Sequence, residues 1–164
     1  MKKGFTLMEL LIVIALLMFL FAILVTNIRT QIVKAQDVQR KTDLNKYQKT
    51  FEEYYNDNQT FPEDASLISN CGSASLAPYL QKILCDPVFK TPYLYVLGST
   101  GAKDGYVICA KLENLADPDI TRMGCDPVKG CGWEVGYNYC LGSGMLAVNP
   151  SGISGGGGTP TPTP

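Results

Sequence analysis

The chain has 164 residues, a formal net charge of −1, six cysteines and no histidine. A charge so close to zero argues against a nucleic-acid-binding surface, which requires a basic excess. The absence of histidine removes the commonest general base and, besides cysteine, the commonest zinc ligand. The length allows one globular domain with appendages.

The first predicted element is an apolar helix. Residues 5–25 form a 21-residue segment, which at 1.5 Å per residue spans about 31 Å, close to the hydrocarbon thickness of a bilayer. A secretory signal peptide is the main alternative, because Lys2 and Lys3 form a positive n-region. However, signal-peptide cores usually run about 7–15 residues, and no A-x-A cleavage site follows. The pattern favours a membrane span that is retained.

One carboxylate interrupts this span. Glu9 lies four residues after Phe5, and an ionisable group at membrane depth costs about 3 kcal/mol on insertion scales. Glu9 therefore either reaches water at the interface or is neutralised by a partner. The residues alone leave both alternatives open.

The helix is predicted to continue beyond the span. No glycine or proline occurs from residue 5 through residue 61, and the polar cluster at 56–62 supplies a stop signal. The second half carries one apolar stripe at helical spacing, formed by Leu44, Tyr47, Phe51 and Tyr54, which must pack on something. Other positions of this segment are polar, and they include Asp37, Arg40, Lys41 and Asp43. We predict one continuous helix of about 50 residues.

The remainder is predicted to form a small antiparallel sheet, which makes the fold class α+β. Residues 92–97 and 106–113 flank a turn-rich stretch at 98–105 and indicate a β-hairpin. Residues 133–141 alternate as a strand, with one face formed by Trp133, Val135, Tyr137, Tyr139 and Leu141. A short helix is predicted around 76–84, and the low-complexity end is predicted to be flexible.

The cysteines indicate disulfides. None of them form a Cys-x-x-Cys pair, and an even number in a small domain behind an apolar leader favours disulfides in an oxidising compartment over free buried thiols. Their connectivity stays open among fifteen possibilities. Cys109 and Cys140 are expected to staple loops rather than fill the core. The disulfide candidates are Cys71, Cys85, Cys109, Cys125, Cys131 and Cys140.

At its N-terminus the sequence resembles a known family. The stretch KKGFTLMELLIVIALL is similar to the leader and first helix of type IV pilin-like proteins, which include pilins, competence pilins and type II secretion pseudopilins. Further along, DLNKYQKTFEEYYNDNQTFP, CDPVFKTPYLYV and GYVICAKLE resemble the major pseudopilin group. The resemblance covers roughly residues 1–113 and implies the pilin fold, a long helix packed on an antiparallel sheet.

The resemblance implies a processing route and a set of partners. A prepilin peptidase would cut between Gly4 and Phe5 and methylate the new amine of Phe5. An assembly ATPase and a platform membrane protein would then add the subunit to copies of itself and related pilins. The implied parts are a leader (1–4), a transmembrane and filament-core helix (5–25), its amphipathic continuation (26–56), an extracytoplasmic head (57–150) and a low-complexity tail (151–164). No cofactor is implied.

The resemblance also decides two questions that the residues left open. It implies that Glu9 pairs with the amine of Phe5 in a neighbouring copy during assembly. It also places the N-terminus in the cytoplasm, as the cysteines do, whereas a simple count of positive charges around the span points the other way.

Two departures from the family pattern appear. Family members often have a glycine in the span and a proline near its end, whereas Met18 and Thr26 stand at about those places here. The family also includes calcium-binding members, but Asp117, Asp119 and Asp126 match no calcium-loop spacing. These acids are predicted to be exposed turn residues, and no metal is expected.

Three classes of function are distinguishable. The first is a structural filament subunit of a pilus or pseudopilus, in the cytoplasmic membrane and then in the filament. The alternative is a single-pass, disulfide-stapled binding or adhesion domain that never polymerises. An enzyme is disfavoured, because no catalytic motif is recognisable and histidine is absent.

Overall fold

The structure is a computed structural model that describes residues 6–63, 65–98 and 101–144. For residues 24–27, 101–104 and 144 it describes the backbone but not the side chains. Gly4, Phe5 and the low-complexity tail lie outside the described residues. The chain divides into two compact units, Met1–Ala35 and Gln36–Pro164. Each unit is described by itself below.

The dominant element is helix α1, Leu7–Asn58, which is 52 residues long. It is unbroken, as predicted from the absence of glycine and proline, and no interruption occurs at Met18 or Thr26. The helix ends where Gln59 adopts a positive φ of 59°. Pro62 follows three residues later, and a proline there also prevents the helix from continuing.

The sheet has three antiparallel strands in the order β1-β2-β3. They are β1 (Leu94–Gly98), β2 (Gly101–Ala110) and β3 (Tyr139–Gly144). The predicted hairpin is confirmed, with Leu94 opposite Cys109 and Leu97 opposite Tyr106. The predicted turn at 98–105 is too long, because β2 already begins at Gly101. The α+β fold class is confirmed.

The apolar stripe of α1 packs on this sheet, as predicted. Leu44, Tyr47 and Phe51 are each no more than 1% exposed. The Phe51 ring lies 4.9 Å from the ring of Tyr106 on β2 in an edge-to-face arrangement, and 5.2 Å from Tyr95 on β1. Aromatic pairs of this geometry add to the free energy gained by burying apolar area. The core of the second unit therefore lies between α1 and the sheet.

The helix predicted at 76–84 is wrong. That segment consists of turns and irregular backbone, and the short helix of this connection is instead α2, Ser66–Ser69. Pro78 disfavours the helical conformation at the residue before it, Ala77, and so opposes a helix that begins at Leu76. Leu76 and Ile83 are nevertheless buried. The apolar pattern therefore identified core residues correctly but predicted the wrong secondary structure for them.

The strand predicted at 133–141 is largely wrong. Only Tyr139 onward is extended, whereas residues 133–136 form bends and a turn, and Val135 is 79% exposed. Gly130, Gly132 and Gly136 have φ values of 93°, 91° and 86°, in the left-handed region that only glycine adopts readily. Gly136 lies inside the predicted strand and breaks its extended backbone, and Gly130 and Gly132 lie just before it.

Disulfides join all six cysteines, in the pairs Cys71–Cys85, Cys109–Cys140 and Cys125–Cys131. The expectation that Cys109 and Cys140 staple loops is wrong. They face each other directly across β2 and β3, and Cys109 is fully buried. This disulfide therefore ties β3 to the central strand beneath the core.

Candidate functional site

The N-terminal unit presents an apolar helix with one acid in its first turn. Every side chain from Thr6 to Ile23 is exposed, including large ones such as Leu7 at 83% and Met18 at 70%. Within the described residues, α1 is the one helix long and apolar enough to cross a membrane. An apolar surface of this size needs a lipid or protein environment to cover it.

Thr6 caps this helix. Its carbonyl accepts a hydrogen bond from the Glu9 N–H at 3.1 Å, and its Oγ1 atom accepts from the same N–H at 3.3 Å. Thr6 and Glu9 thus occupy the two key positions of a capping-box pattern, Thr-x-x-Glu. This role of Thr6 was not predicted, although the Thr-x-x-Glu spacing signals it. The carboxylate of Glu9 also lies in the first turn, where the helix dipole favours a negative charge.

The second unit contains a buried charge cluster that the sequence analysis missed. Arg40 is fully buried on α1 and donates from Nη1 to Asp37 Oδ1, from Nε to Asp86 Oδ2 and from Nη2 to Glu113 Oε1, each at 2.7 Å. Nη2 also donates to Asp86 Oδ1 at 3.3 Å. One guanidinium therefore joins α1, the loop before β1 and the segment after β2.

The carboxylates of this cluster also bind backbone groups. Asp37 accepts from the N–H groups of Glu113 at 3.0 Å and Asn114 at 2.8 Å. Burial by itself would lower the pKa of Arg40, but its hydrogen bonds to Asp86, Glu113 and Asp37 raise the pKa above the usual range. Burial would raise the pKa of Asp86, yet the Arg40 guanidinium and two backbone N–H groups lower it below its ordinary value.

A further buried carboxylate, Asp43, forms no ion pair among the described residues. Asp43 is 2% exposed and accepts hydrogen bonds from the Tyr93 hydroxyl at 3.0 Å and the Gln39 amide at 2.7 Å. Burial raises the pKa of Asp43, against the opposing effect of these two donors. Together with Arg40, this acid corrects the prediction that the charged residues of α1 lie apart from the stripe.

The predicted turn acids do not all behave as exposed residues. Asp117 and Asp119 hold the ammonium of Lys41, with Nζ at 2.7 and 2.8 Å from the two Asp117 oxygens and 2.6 Å from Asp119. Asp117 also caps helix α3 (Pro118–Arg122) by accepting from the Asp119 N–H. Burial would raise the pKa of Asp117, but the contact with Lys41 lowers it below its ordinary value.

Asp126 binds within its own turn and does not join this pair. Its Oδ1 accepts from the N–H groups of Val128 and Lys129 at 2.8 and 2.7 Å. Among the residues that the structure describes, no three histidine, cysteine or acidic side chains are grouped as metal ligands. The cation held by Asp117 and Asp119 in this structure is the protein's own lysine.

The two Cys-Asp-Pro-Val stretches form the same turn. Asp86 Oδ1 accepts from Val88 and Phe89 at 2.8 and 2.9 Å, just as Asp126 does from its own second and third neighbours. Asp-Pro is a common opening of a turn. The structure adds that the local geometry occurs twice, each time after a disulfide cysteine.

Fold and site together define a class of protein. A long apolar helix that is fully exposed at its start continues into a small α+β head, which is a pilin-like layout. Residues 1–25 match the family model for the prokaryotic N-terminal methylation motif. The match supports a precursor of type IV pilin or pseudopilin type and agrees with a membrane-anchored protein. No curated protein and no solved structure matches the chain.

Proposed function

We propose that the chain is a structural subunit of a type IV pilus-like or type II secretion pseudopilus filament. The observation that carries the proposal is the methylation-motif match over residues 1–25, in a helix whose exposed apolar surface contains a single acid, Glu9. Proteins with this leader are structural and not enzymatic. The described side chains of residues 6–23 would be covered by lipid before assembly and by other copies afterwards.

Processing would occur between Gly4 and Phe5. A prepilin peptidase would remove residues 1–4 and methylate the amine of Phe5, which then becomes the first residue of the helix. The mature chain would remain in the cytoplasmic membrane through residues 5–25. Its head, residues 57–150, would lie outside on the continuation of the helix at 26–56, and residues 151–164 would form a tail. An assembly ATPase and a platform membrane protein would move it into the filament.

Glu9 would pair with the positive N-terminal amine of Phe5 in a neighbouring copy. Each charge alone is unfavourable in an apolar bundle, and each offsets the cost of desolvating the other when they meet. Removal of one partner from a buried pair costs about 3–5 kcal/mol, because the other charge remains uncompensated. The pair would therefore select the arrangement in which every copy is offset from the next by the distance between positions 5 and 9.

The decisive experiment combines mass spectrometry with one substitution. The mature chain isolated from membranes should begin at a methylated Phe5. Glu9→Ala should leave membrane insertion and processing intact but reduce sheared filaments at least tenfold. Glu63→Ala removes an exposed acid outside the span and should leave filament yield unchanged.

Two results would overturn the proposal. Normal filaments from Glu9→Ala would exclude the pairing. An intact Met1 on a chain that never polymerises would instead identify the alternative function, a single-pass binding or adhesion domain stapled by its disulfides.

A further inference from the structure

The outward face of α1 in the second unit carries exposed charges. Lys46, Lys49 and Glu53 follow one another at spacings of three and four residues, so they lie in one line along the helix. Each is two residues from a core residue, Leu44 or Phe51, which corresponds to a rotation of about 200°. The line therefore runs on the side of the helix opposite the core.

Among the described residues, these three side chains form no ion pair. Each of the ion pairs found among the described residues is centred on Arg40, Lys41 or Asp119, and none includes Lys46, Lys49 or Glu53. Lys49 and Glu53 are four residues apart on one helix, a spacing that allows a pair, yet they are not within 4.0 Å of each other. Both charges are available to an external partner.

The order of the signs is unfavourable for an isolated helix. The exposed bases come first, and the exposed acids Glu52, Glu53 and Asp57 follow toward the C-terminal end. The last turn of α1 contains no basic residue. The partial negative charge at the C-terminal end of a helix acts within the last turn, so it disfavours Asp57. At a spacing of four residues, a lysine that precedes a glutamate is also the less favourable order. A positive charge supplied from outside the chain would compensate for this.

A second copy of the chain supplies such a charge. Parallel helices that pack side by side lie about 8–10 Å apart, within reach of a lysine and a glutamate that extend toward each other. An offset of four residues between two such copies places Lys49 of one beside Glu53 of the next. The pairing proposed at the N-terminus likewise joins two copies, through positions that are four residues apart in the sequence.

We propose that Lys49 of one copy pairs with Glu53 of the neighbouring copy, as a second register contact in the filament. This inference rests on the proposed function and deepens it, because it identifies the surface of the helix continuation that meets the next subunit. The pair is exposed and contributes less than the contact at Glu9. Its effect is to favour one offset over others.

The test is rescue between two different variants of the full-length chain. They are produced in cells with a prepilin peptidase and an assembly system, and sheared filaments are measured by immunoblot. Lys49→Glu and Glu53→Lys should each lower filament yield about fivefold, the effect of roughly 1 kcal/mol at an exposed pair. Co-expression of the two variants should restore the yield to within about twofold. The acid introduced at position 49 then faces the base introduced at position 53 of the other copy.

Matched controls separate this effect from changes in net charge or folding. Lys82→Glu and Glu63→Lys make the same charge changes at exposed positions outside α1 and should not reduce the yield. A contact within one helix cannot be restored by mixing two chains, so rescue in mixtures is specific to pairing between copies. The rescue should also weaken at high salt, because exposed charges are screened.

The possible failures are distinguishable. If the wild-type chain forms filaments but mixing gives no rescue, or if the single variants assemble normally, the Lys49–Glu53 contact is wrong and the filament function stands. If the wild-type chain forms no filament, the proposed function fails and this inference fails with it.

Discussion

Replacement of Arg40 by methionine should destabilise the second unit more than any other single charge removal in the described residues. The side chain is 0% exposed and binds three carboxylates. Removing one partner of a buried ion pair costs about 3–5 kcal/mol. We expect the lower value, about 3 kcal/mol, because Asp37 and Asp86 keep backbone N–H donors and the Glu113 side chain is 37% exposed.

The change is measured on the full-length chain in detergent, by near-ultraviolet circular dichroism during thermal unfolding. A loss of about 3 kcal/mol corresponds to a shift of roughly 10–15 °C in Tm for a unit of this size. Arg122→Met is the matched control, since Arg122 is 76% exposed and forms one bridge. It should change stability by less than about 0.5 kcal/mol.

The dependence of the Arg40→Met effect on pH provides a second readout. Without the guanidinium, the buried Asp86 carboxylate loses the contact that holds its pKa down, so its pKa should rise above the unfolded value. Protonation then relieves the uncompensated charge, and the difference in stability between wild type and variant should shrink as the pH falls toward 4. A loss below about 1 kcal/mol at pH 7, or a difference that grows on acidification, would refute the reasoning.

Two further predictions concern the same unit. Asp86 and Asp117 have lowered pKa values, so their contribution is present above the unfolded value of about 3.9 and is lost as the pH falls through their folded pKa. Asp43 opposes them because its raised pKa stabilises the folded state on acidification, and Asp43→Asn should therefore make the acid-induced fall in Tm steeper below about pH 5. Among the disulfides, replacing the Cys109–Cys140 pair by serines should lower the free energy of unfolding by about 3.7 kcal/mol, and replacing Cys125–Cys131 by about 2.2 kcal/mol. The difference arises because the two disulfides close loops of 31 and 6 residues, and urea unfolding measures both losses. Equal losses for the two pairs would contradict the loop-entropy argument.

The sequence predicted the long helix and the hairpin because their signals are local. Helix α1 depends on an absence of breakers and on one periodic stripe, and both are visible without any tertiary information. The strand prediction over 133–141 is wrong because an alternating pattern carries no information on backbone dihedral angles. Gly136 adopts a positive φ within that segment, and Gly132 does so just before it. The helix prediction at 76–84 is wrong because it was based on apolar spacing and gave too little weight to the proline at position 78.

The buried Arg40 cluster was missed for a different reason. Position 40 lies four residues before Leu44, and position 37 three before that, so the core stripe continues through Arg40 and Asp37. The helical spacing of buried residues therefore includes both positions, but Arg40 and Asp37 were predicted to lie outside the stripe because they are charged. The partners Asp86 and Glu113 lie 46 and 73 residues away, and no local pattern identifies them.

The twin Asp-Pro turns give the molecule an internal reference. The Asp86 carboxylate accepts hydrogen bonds both from its own turn and from the distant Arg40 guanidinium, whereas the Asp126 carboxylate accepts only from its turn in its described hydrogen bonds. The same Asp→Asn substitution at each site would lower the free energy of unfolding by different amounts. Subtracting the loss at Asp126 from the loss at Asp86 removes the contribution of the turn itself. The difference is the free energy that the contact between Asp86 and Arg40 contributes by joining the loop before β1 to the helix.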